Sequence, residues 1–413
     1  MRKKNEVVKE PEIVVGLDIG TTKIATIIGM LNAEGKIDIL AYGNGESTGV
    51  QHGLIYNIIK TVEGINFSKS VALSRFHCNV DEVIAGVAGR HIKSIEYKHN
   101  IIRRKNKEET ITQEEVDEMT EDLKRLSVTP GEQIIDVIPQ RFIIDRQREE
   151  IDPVGCMGEV IDGFFQIITG NEAEIRKIIL CLNKADLKVK SIILEPIASG
   201  LACLTVEEKQ QGVVMVDIGG GTTDVAVFLN GKPVFTRVIP VGGVAVTKDI
   251  ATICQISEEL AEKLKTSYGT CVVDKSNKNN LITIPQLTAI EPKQISETYL
   301  AEIIYARIAQ DILKEVARAI KESGYAAQVR CGIVLTGGGA AMKNIKELCE
   351  FITTKPVRIG CPGVGFASST YSELKNPKFS TVMGLLKYGI LGYAENAVEI
   401  PPPPSPPPPP GSD

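Results

Sequence analysis

The 413-residue chain has no tryptophan, only 4 histidines and a formal net charge of −5. A charge that small offers no electrostatic footprint for nucleic acid, so none is expected as a partner. No run approaches the eighteen or so apolar residues that a membrane-spanning helix requires. The basic start Arg2-Lys3-Lys4 is not followed by the apolar core of a signal peptide. The 9 cysteines are scattered without a close pair, and Cys181, Cys203 and Cys349 stand among apolar residues. That is the pattern of small buried hydrophobes in a reducing cytoplasm, not of a disulfide framework. No cysteines cluster near the histidines, which argues against structural zinc. Two nucleotide motifs are also missing: there is no Gly-x-x-x-x-Gly-Lys-Ser/Thr loop, and no Gly-x-Gly-x-x-Gly follows a strand. The absence of tryptophan excludes nothing.

What is present is an ordinary globular composition, 43% hydrophobic and 24% charged, in a chain long enough for two domains or more. An apolar run over 13–19 ends in Asp18-Ile19-Gly20. Thr21-Thr22-Lys23 and two more runs, 24–31 and 37–42, follow it. This predicts a strand, a tight turn, a strand, a loop and a strand. The segment 212–240 repeats the pattern with strands at 213–218, 222–229 and 234–239, a turn at Gly219–Gly221 and the hairpin pair Asn230-Gly231. Duplication of a hairpin-led α/β unit is the main architectural reading.

The material between the copies breaks the repeat. Residues 102–109 read as a charged loop or edge. Thr112 opens a helix with Glu115 in the capping-box position and Val116, Met119, Leu123 and Leu126 on one face. Strand-like residues 133–146 are interrupted by Pro139, and 83–162 reads as a small α+β subdomain. A helix over 172–185 and a strand over 187–194 follow. In the second half, Ser257 caps a helix running to Tyr268, and 270–281 reads as polar and exposed. Residues 296–323 form a long helix with Tyr299, Ile303, Ala306, Leu313, Val316 and Ile320 at helical spacing. A buried strand at 331–335 leads to Gly337-Gly338-Gly339, which is expected to open a helix at about Ala341. Pro401–Pro404 and Pro406–Pro410 read as an extended polyproline spacer, with a proline-recognition ligand as the alternative.

A strand that ends in an acid and is followed by small residues suits a phosphate that brings Mg²⁺. Backbone amides donate to phosphoryl oxygens, and glycine lets the chain approach closely. Gly20, Thr21, Thr22 and Lys23 supply this at the first turn, and Gly219, Gly220, Gly221, Thr222 and Thr223 at the second. Asp18 and Asp217 are then expected to hold the metal across a cleft, through its retained waters. Lys23 is either a charge partner for phosphate or one half of a surface salt bridge. Gly337, Gly338, Gly339 and the neighbouring Met342 are expected against the adenosine. Glu262 and Lys265, one helical turn apart, either bond the ribose and base or form a solvated pair. Glu195 either orients the water attacking the γ-phosphoryl group or is a helix-terminus carboxylate ahead of Pro196.

The order Asp18–Lys23, Glu195-Pro196, Asp217–Asp224, Gly337–Gly339 and 380–389 resembles the phosphate-1, connect-1, phosphate-2, adenosine and connect-2 segments of the actin, Hsp70 and sugar-kinase superfamily. Within it the chain is similar to the FtsA family of bacterial cell division. The specific points are Ser47-x-Gly49 with Gly53-x-Ile55, Ile138-Pro139-Gln140, Asp152-Pro153-x-Gly155, and Gly242-Gly243 leading through Thr247-Lys248-Asp249-Ile250 to Ala261-Glu262-x-x-Lys265. Residues 356–360 and Gly384-Leu385 agree as well, and the resemblance spans about 13–393.

The resemblance implies a duplicated RNase-H-like, actin-like α/β fold with an SHS2-like subdomain 1C in place of actin's 1B. It divides the chain into a disordered start (1–12), subdomain 1A (13–82, 163–211 and 370–395), 1C (83–162), 2A (212–243 and 331–369), 2B (244–330) and a proline-rich flexible tail (396–413). It implies ATP or ADP with Mg²⁺ as ligands and self-association into filaments. It further implies that the FtsZ C-terminal tail binds 2B, that other division proteins are partners, and that the location is the cytoplasmic face of the inner membrane. Glu195 matches the catalytic base of brisk superfamily hydrolases, while hydrolysis in this chain stays open, slow if it occurs. Family members end in an amphipathic membrane helix that this sequence does not contain, so the chain as given is expected to be soluble or only self-associating. The competing readings are a pilus-assembly type scaffold that also carries 1C, a small-molecule kinase, for which no substrate base can be assigned, and a chaperone, for which no peptide-binding domain follows.

Overall fold

The computed structural model describes residues 12–103, 109–285, 293–368 and 371–392. The first repeat folds as strands β1 (Val14–Ile19), β2 (Lys23–Leu31) and β3 (Ile37–Glu46). The short ribbon β4 (Val50–Gln51) and β5 (Leu54–Ile55), helix α1 (Ile58–Arg75) and strand β6 (Glu82–Val87) follow. Next come β7 (Lys93–Ile102), α2 (Gln113–Lys124), β8 (Glu132–Ile144), β9 (Arg148–Glu150) and β10 (Val160–Asn171), then α3 (Glu172–Lys184), β11 (Lys188–Leu194), α4 (Glu195–Cys203) and α5 (Val206–Gln211). The second repeat holds β12 (Val213–Ile218), β13 (Thr223–Leu229), β14 (Lys232–Ile239), α6 (Gly243–Cys254), α7 (Glu258–Tyr268), β15 (Leu281–Ile284) and β16 (Lys293–Ser296). The described chain closes with α8 (Glu297–Arg307), α9 (Lys314–Glu322), β17 (Ile333–Thr336), α10 (Ile345–Thr353), β18 (Val357–Ile359) and α11 (Ser380–Ile390).

The duplication is visible strand by strand. One sheet runs β3-β2-β1-β6-β11 and the other β14-β13-β12-β17-β18. In each, three antiparallel strands are followed by two parallel ones. Every residue of β1 and β12 is buried, as central strands covered on both faces must be. Helices α4 and α11 pack against each other between the sheets, so the two carboxyl-end turns, after β1 and after β12, face one cleft.

The insert is its own sheet, in the order β7-β10-β8-β9, backed by α2. The Thr112–Glu115 capping box forms, and Val116, Met119 and Leu123 are buried. Leu126 lies beyond the helix and packs against the same core while half-buried. The expected bounds of 83–162 need correction. β6 pairs in parallel with β1 and so belongs to the first sheet, while β10 runs to Asn171 as a central strand of the insert. Pro139 does not interrupt β8 either. Phe164 pairs with Arg141 and Phe165 with Pro139, which leaves Gln140 as the extra residue of a bulge. A bulge is where a strand tolerates a residue without an N–H.

Three other expectations change. The helix over 296–323 has a π-helical turn, Ile308–Leu313, between α8 and α9. That turn rephases the apolar stripe: Leu300, Ile303 and Ile304 are buried before it, whereas Tyr299 and Ala306 are exposed. Gly338–Ala341 is a single 3₁₀ turn, and the helix expected at Ala341 begins only at Ile345. Thr270 and Cys271, expected to be exposed, are buried. Residues 1–11 of the expected disordered start, the tail 396–413 and most of the charged loop at 102–109 lie outside the described residues. Among the described residues no helix is long and apolar enough to cross a membrane.

Candidate nucleotide site

Both turns have the same construction. Gly20 N–H donates to Lys23 O at 3.0 Å, and Gly219 N–H to Thr222 O at 2.9 Å. These two amides close their turns, so donors to a phosphate come from the residues that follow them. The turns touch: a Cβ on Gly220 would lie 2.4 Å from Thr22 Cγ2, and one on Gly221 2.4 Å from Thr21 Oγ1. The N-terminus of α6 leans on the second turn, with Gly243 N–H and Val244 N–H donating to Gly219 O and Gly220 O, both at 2.9 Å.

A cavity of about 660 Å³ lies over the turns, within the range of nucleotide-sized ligand pockets. It is lined by every residue singled out in the sequence except Thr223. Thr223 is fully buried at the start of β13 and donates its hydroxyl to Val241 O at 2.8 Å. Its side chain ties β13 to the loop between β14 and α6 and does not line the cleft.

Asp18 pairs with Lys23 at the edge of the first turn. The salt bridge of Lys23 thus lies inside the cleft and not on the outer surface. Asp217 Oδ2 accepts from Ser199 Oγ at 2.6 Å and Thr381 Oγ1 at 3.1 Å. Ser199 sits on α4 and Thr381 on α11, so the interlobe helices hold this carboxylate in place. Gly337 has φ of 83°, and a Cβ there would fall 2.2 Å from Asp217 Oδ1; only glycine lets the third turn come so close.

Glu195 is the first residue of α4, followed by Pro196, and it also lines the cleft. The two readings of this residue are therefore compatible. Burial and then the neighbouring carboxylates of Asp18, Asp224 and Asp217 push its carboxyl well above the usual range. Asp224, which the motif reading passed over as a site residue, pairs across the strands with Asp217. Its Oδ2 accepts from Thr222 Oγ1 at 2.8 Å, and its Oδ1 is buried with no partner among the described residues. Burial, with Asp217 adding to it, raises this carboxyl to about 8. An orphaned carboxylate oxygen beside phosphate-turn donors and three further acids fits a ligand that brings cations or water into the cleft.

Glu262 and Lys265 stand on α7 at the far end of the cavity. Lys265 Nζ contacts Gly243 O at 3.1 Å, Thr247 Oγ1 at 2.8 Å and Glu262 Oε2 at 2.6 Å. An ammonium has three N–H groups, so all are engaged by α6 and α7. Lys265 thus braces the N-terminus of α6, and Glu262, half-exposed, is the member of the pair with spare acceptors. The signal for Ser199 and Thr381 was weak in the sequence, since an isolated hydroxyl in an apolar helix reads as packing. Asp224 had a signal, its place two residues after Thr222 in a glycine turn.

The family model for "Cell division protein FtsA" matches residues 214–384, and that for the "SHS2 domain inserted in FTSA" matches 89–169. The second range agrees with the insert as the sheets define it. Among solved structures, a PilM-PilN type IV pilus biogenesis complex superposes with a TM-score of 0.62 at 16% identity, covering 91% of this chain and 98% of that one. MreB 5 of Spiroplasma citri bound to AMPPNP superposes at 0.56 and 17% identity, covering 94% and 99%. At such identities both show the fold, a duplicated actin-like architecture. The cell division protein FtsA of Neisseria meningitidis serogroup B is 37% identical over 372 residues, which covers 90% of this chain and 88% of the relative. With that identity over that coverage, and an insert of the matching type in the matching place, this chain belongs to the FtsA family of cell-division proteins.

Proposed function

We propose that the chain is an ATP-binding, actin-like scaffold of bacterial division that polymerises and links FtsZ filaments to the cytoplasmic face of the membrane. The observation that carries this reading is the pairing of a two-turn phosphate cleft with an SHS2 insert that reaches the second lobe. Gln140 Nε2 donates to Pro233 O at 2.9 Å, and Lys232 Nζ to Ile151 O at 3.2 Å. A scaffold whose assembly depends on nucleotide needs its assembly module connected to both jaws of the cleft.

In this reading ATP lies along the cleft with its phosphates at Thr21, Thr22 and Gly220–Thr222 and its nucleoside between Glu262 and Gly338–Met342. Asp18 and Asp217 would hold Mg²⁺ through water, and the ion would supply positive charge against the phosphates and the four acids. Lys23 exchanges Asp18 for a phosphoryl oxygen. Glu195, which lines the cleft, would orient a water towards the γ-phosphate. Residues 244–330 form the docking subdomain for the FtsZ tail, and an amphipathic helix provides the peripheral membrane contact in such proteins. A pilus-type scaffold shares the overall fold, but the 37% identical relative is a division protein. The test is to add ATP, image the protein by electron microscopy, and measure recruitment of a labelled FtsZ C-terminal peptide. ATP-dependent filaments that bind the peptide are expected; no peptide binding, with or without filaments, would remove the division adaptor role.

A further inference from the structure

The ribbon β4–β5 is a two-residue hairpin with Val50 opposite Ile55 and Gln51 opposite Leu54. Its turn residues His52 and Gly53 both have positive φ, 49° and 73°, the arrangement that matches strand twist in tight hairpins. The hairpin belongs to the first lobe, yet its tip lies on the second phosphate turn. His52 Nδ1 is 3.2 Å from Gly221 O; because a carbonyl only accepts, Nδ1 carries the proton and donates. A Cβ on Gly221 would fall 2.9 Å from both N and Cα of His52. Gly53 N–H donates to Thr21 Oγ1 at 3.2 Å, and a Cβ on Gly53 would meet Thr222 Cγ2 at 3.3 Å. One turn therefore touches both phosphate turns.

The other side of the same hairpin rests on the root of the insert. A Cβ on Gly53 would lie 3.3 Å from Ala88 C and Gly89 N, and one on Gly89 would meet the His91 ring at 2.9 Å and Leu54 Cδ2 at 3.1 Å. These residues form the link between β6 and β7, by which the chain enters the insert. Ile92 N–H donates to Gly89 O at 3.1 Å within this link, but neither nitrogen of the His91 ring finds a partner among the described residues, so the His91 side chain is held by packing alone.

We infer that the His52–Gly53 turn is a mechanical relay, which reads the position of the second phosphate turn and passes it to the root of the insert. His52 is a positioning residue here: it faces the carbonyl side of Gly221 and reaches ligand only through the turn. The chain of contact is continuous, from Gly221 and Thr222 through His52, Gly53 and Leu54 to Ala88, Gly89 and His91. Closely packed groups of this kind shift between discrete arrangements instead of deforming gradually. The inference rests on the nucleotide reading above.

Hydrogen exchange with and without Mg-ATP, alongside calorimetric titration of the same samples, tests it. In the wild type, ATP is expected to slow exchange in the peptide spanning 88–103 as well as at the phosphate turns. His52→Ala is expected to keep ATP affinity within about fivefold, since one neutral hydrogen bond is lost, and to keep protection at the turns while losing it at 88–103. His52→Asn, which tolerates the left-handed backbone and keeps a donor, is expected to restore protection at 88–103, whereas His52→Gly, with the backbone but no donor, is not. Equal protection at 88–103 in the wild type and His52→Ala, or none in the wild type despite tight binding, overturns the relay and leaves the nucleotide site standing. Absence of ATP binding in the wild type overturns both.

Discussion

Asp217 shows what a single carboxylate contributes in this cleft. Its Oδ2 takes two hydroxyl hydrogen bonds from interlobe helices, so Asp217→Asn keeps an acceptor for them and removes only the charge. The variant is expected to fold with an unchanged circular-dichroism spectrum, yet to lose the Mg²⁺ dependence of ATP affinity in a calorimetric titration. Affinity that still rises with Mg²⁺ would reassign the metal to other acids. Glu195→Gln makes the complementary case: ATP affinity should hold while any turnover, followed by phosphate release, falls roughly a hundredfold, the lower range for a lost general base. Asp224 carries a pH signature. Its carboxyl is raised in the folded protein from an ordinary 3.8 to about 8, so between those values the folded state binds a proton that the unfolded state has released. Stability of the nucleotide-free protein must then fall as pH rises through that window. Melting temperatures taken from pH 5 to pH 8 should decline, and Asp224→Asn, which keeps an acceptor for Thr222, should flatten the decline. An equal slope in the variant would place the titrating group elsewhere, Glu195 being the next candidate.

At the scale of elements, what the sequence made legible follows from how local each signal was. The two turns, the Thr112 capping box and the Ser257 cap depend on residues within a few positions of one another, and they stand where the residues placed them. The insert bounds are not legible in the sequence because β6 and β10 are both apolar strands, and only pairing with β1 or with β7 tells them apart. The long helix was legible but its face was not, because a π turn adds a residue to the period without any marker such as Gly or Pro. The spacing of Glu262 and Lys265 leaves open whether they meet a nucleoside or each other, because the bonds of Lys265 to Gly243 and Thr247 involve α6, a separate helix. The α4–α11 contact is likewise a tertiary matter. A Cβ on Gly384 would lie 1.7 Å from Ala198 O, and both helices are buried along most of their length. Gly384→Ala should therefore cost about 1–3 kcal/mol or more through forced separation of the helices, against the small gain that alanine brings to an exposed helix. Urea unfolding measures it, and an unchanged midpoint would mean the helices separate without cost.

The whole molecule is two copies of one sheet with a third sheet attached to the first and leaning on the second. The attachment is narrow. β7 and β10 are antiparallel neighbours with Lys93 opposite Thr169, so the chain leaves and re-enters the first lobe at adjacent positions, roughly 5 Å apart for such a pair. The insert has its own apolar core around Phe142 and Phe165, and only Ile135 and Ile168, at its base, are buried in the core of the first lobe. Its removal leaves the core of the second lobe whole and takes from the first only the base residues Ile135 and Ile168, so both lobes are expected to stay folded, the first at some cost in stability. Replacing 94–168 by Asn-Gly joins Lys93 to Thr169 through a hairpin turn and spares every residue that lines the cleft. It does cut the bonds from Gln140 and Ile151 to β14, which tie the insert to the far jaw. If the insert serves assembly and the two lobes serve the nucleotide, ATP binding by titration should survive the replacement, and filaments seen by electron microscopy should not. Filaments at the wild-type threshold would move the assembly surface onto the lobes themselves. Loss of ATP binding with intact folding would instead show that the bond between insert and β14 holds the cleft at its working width.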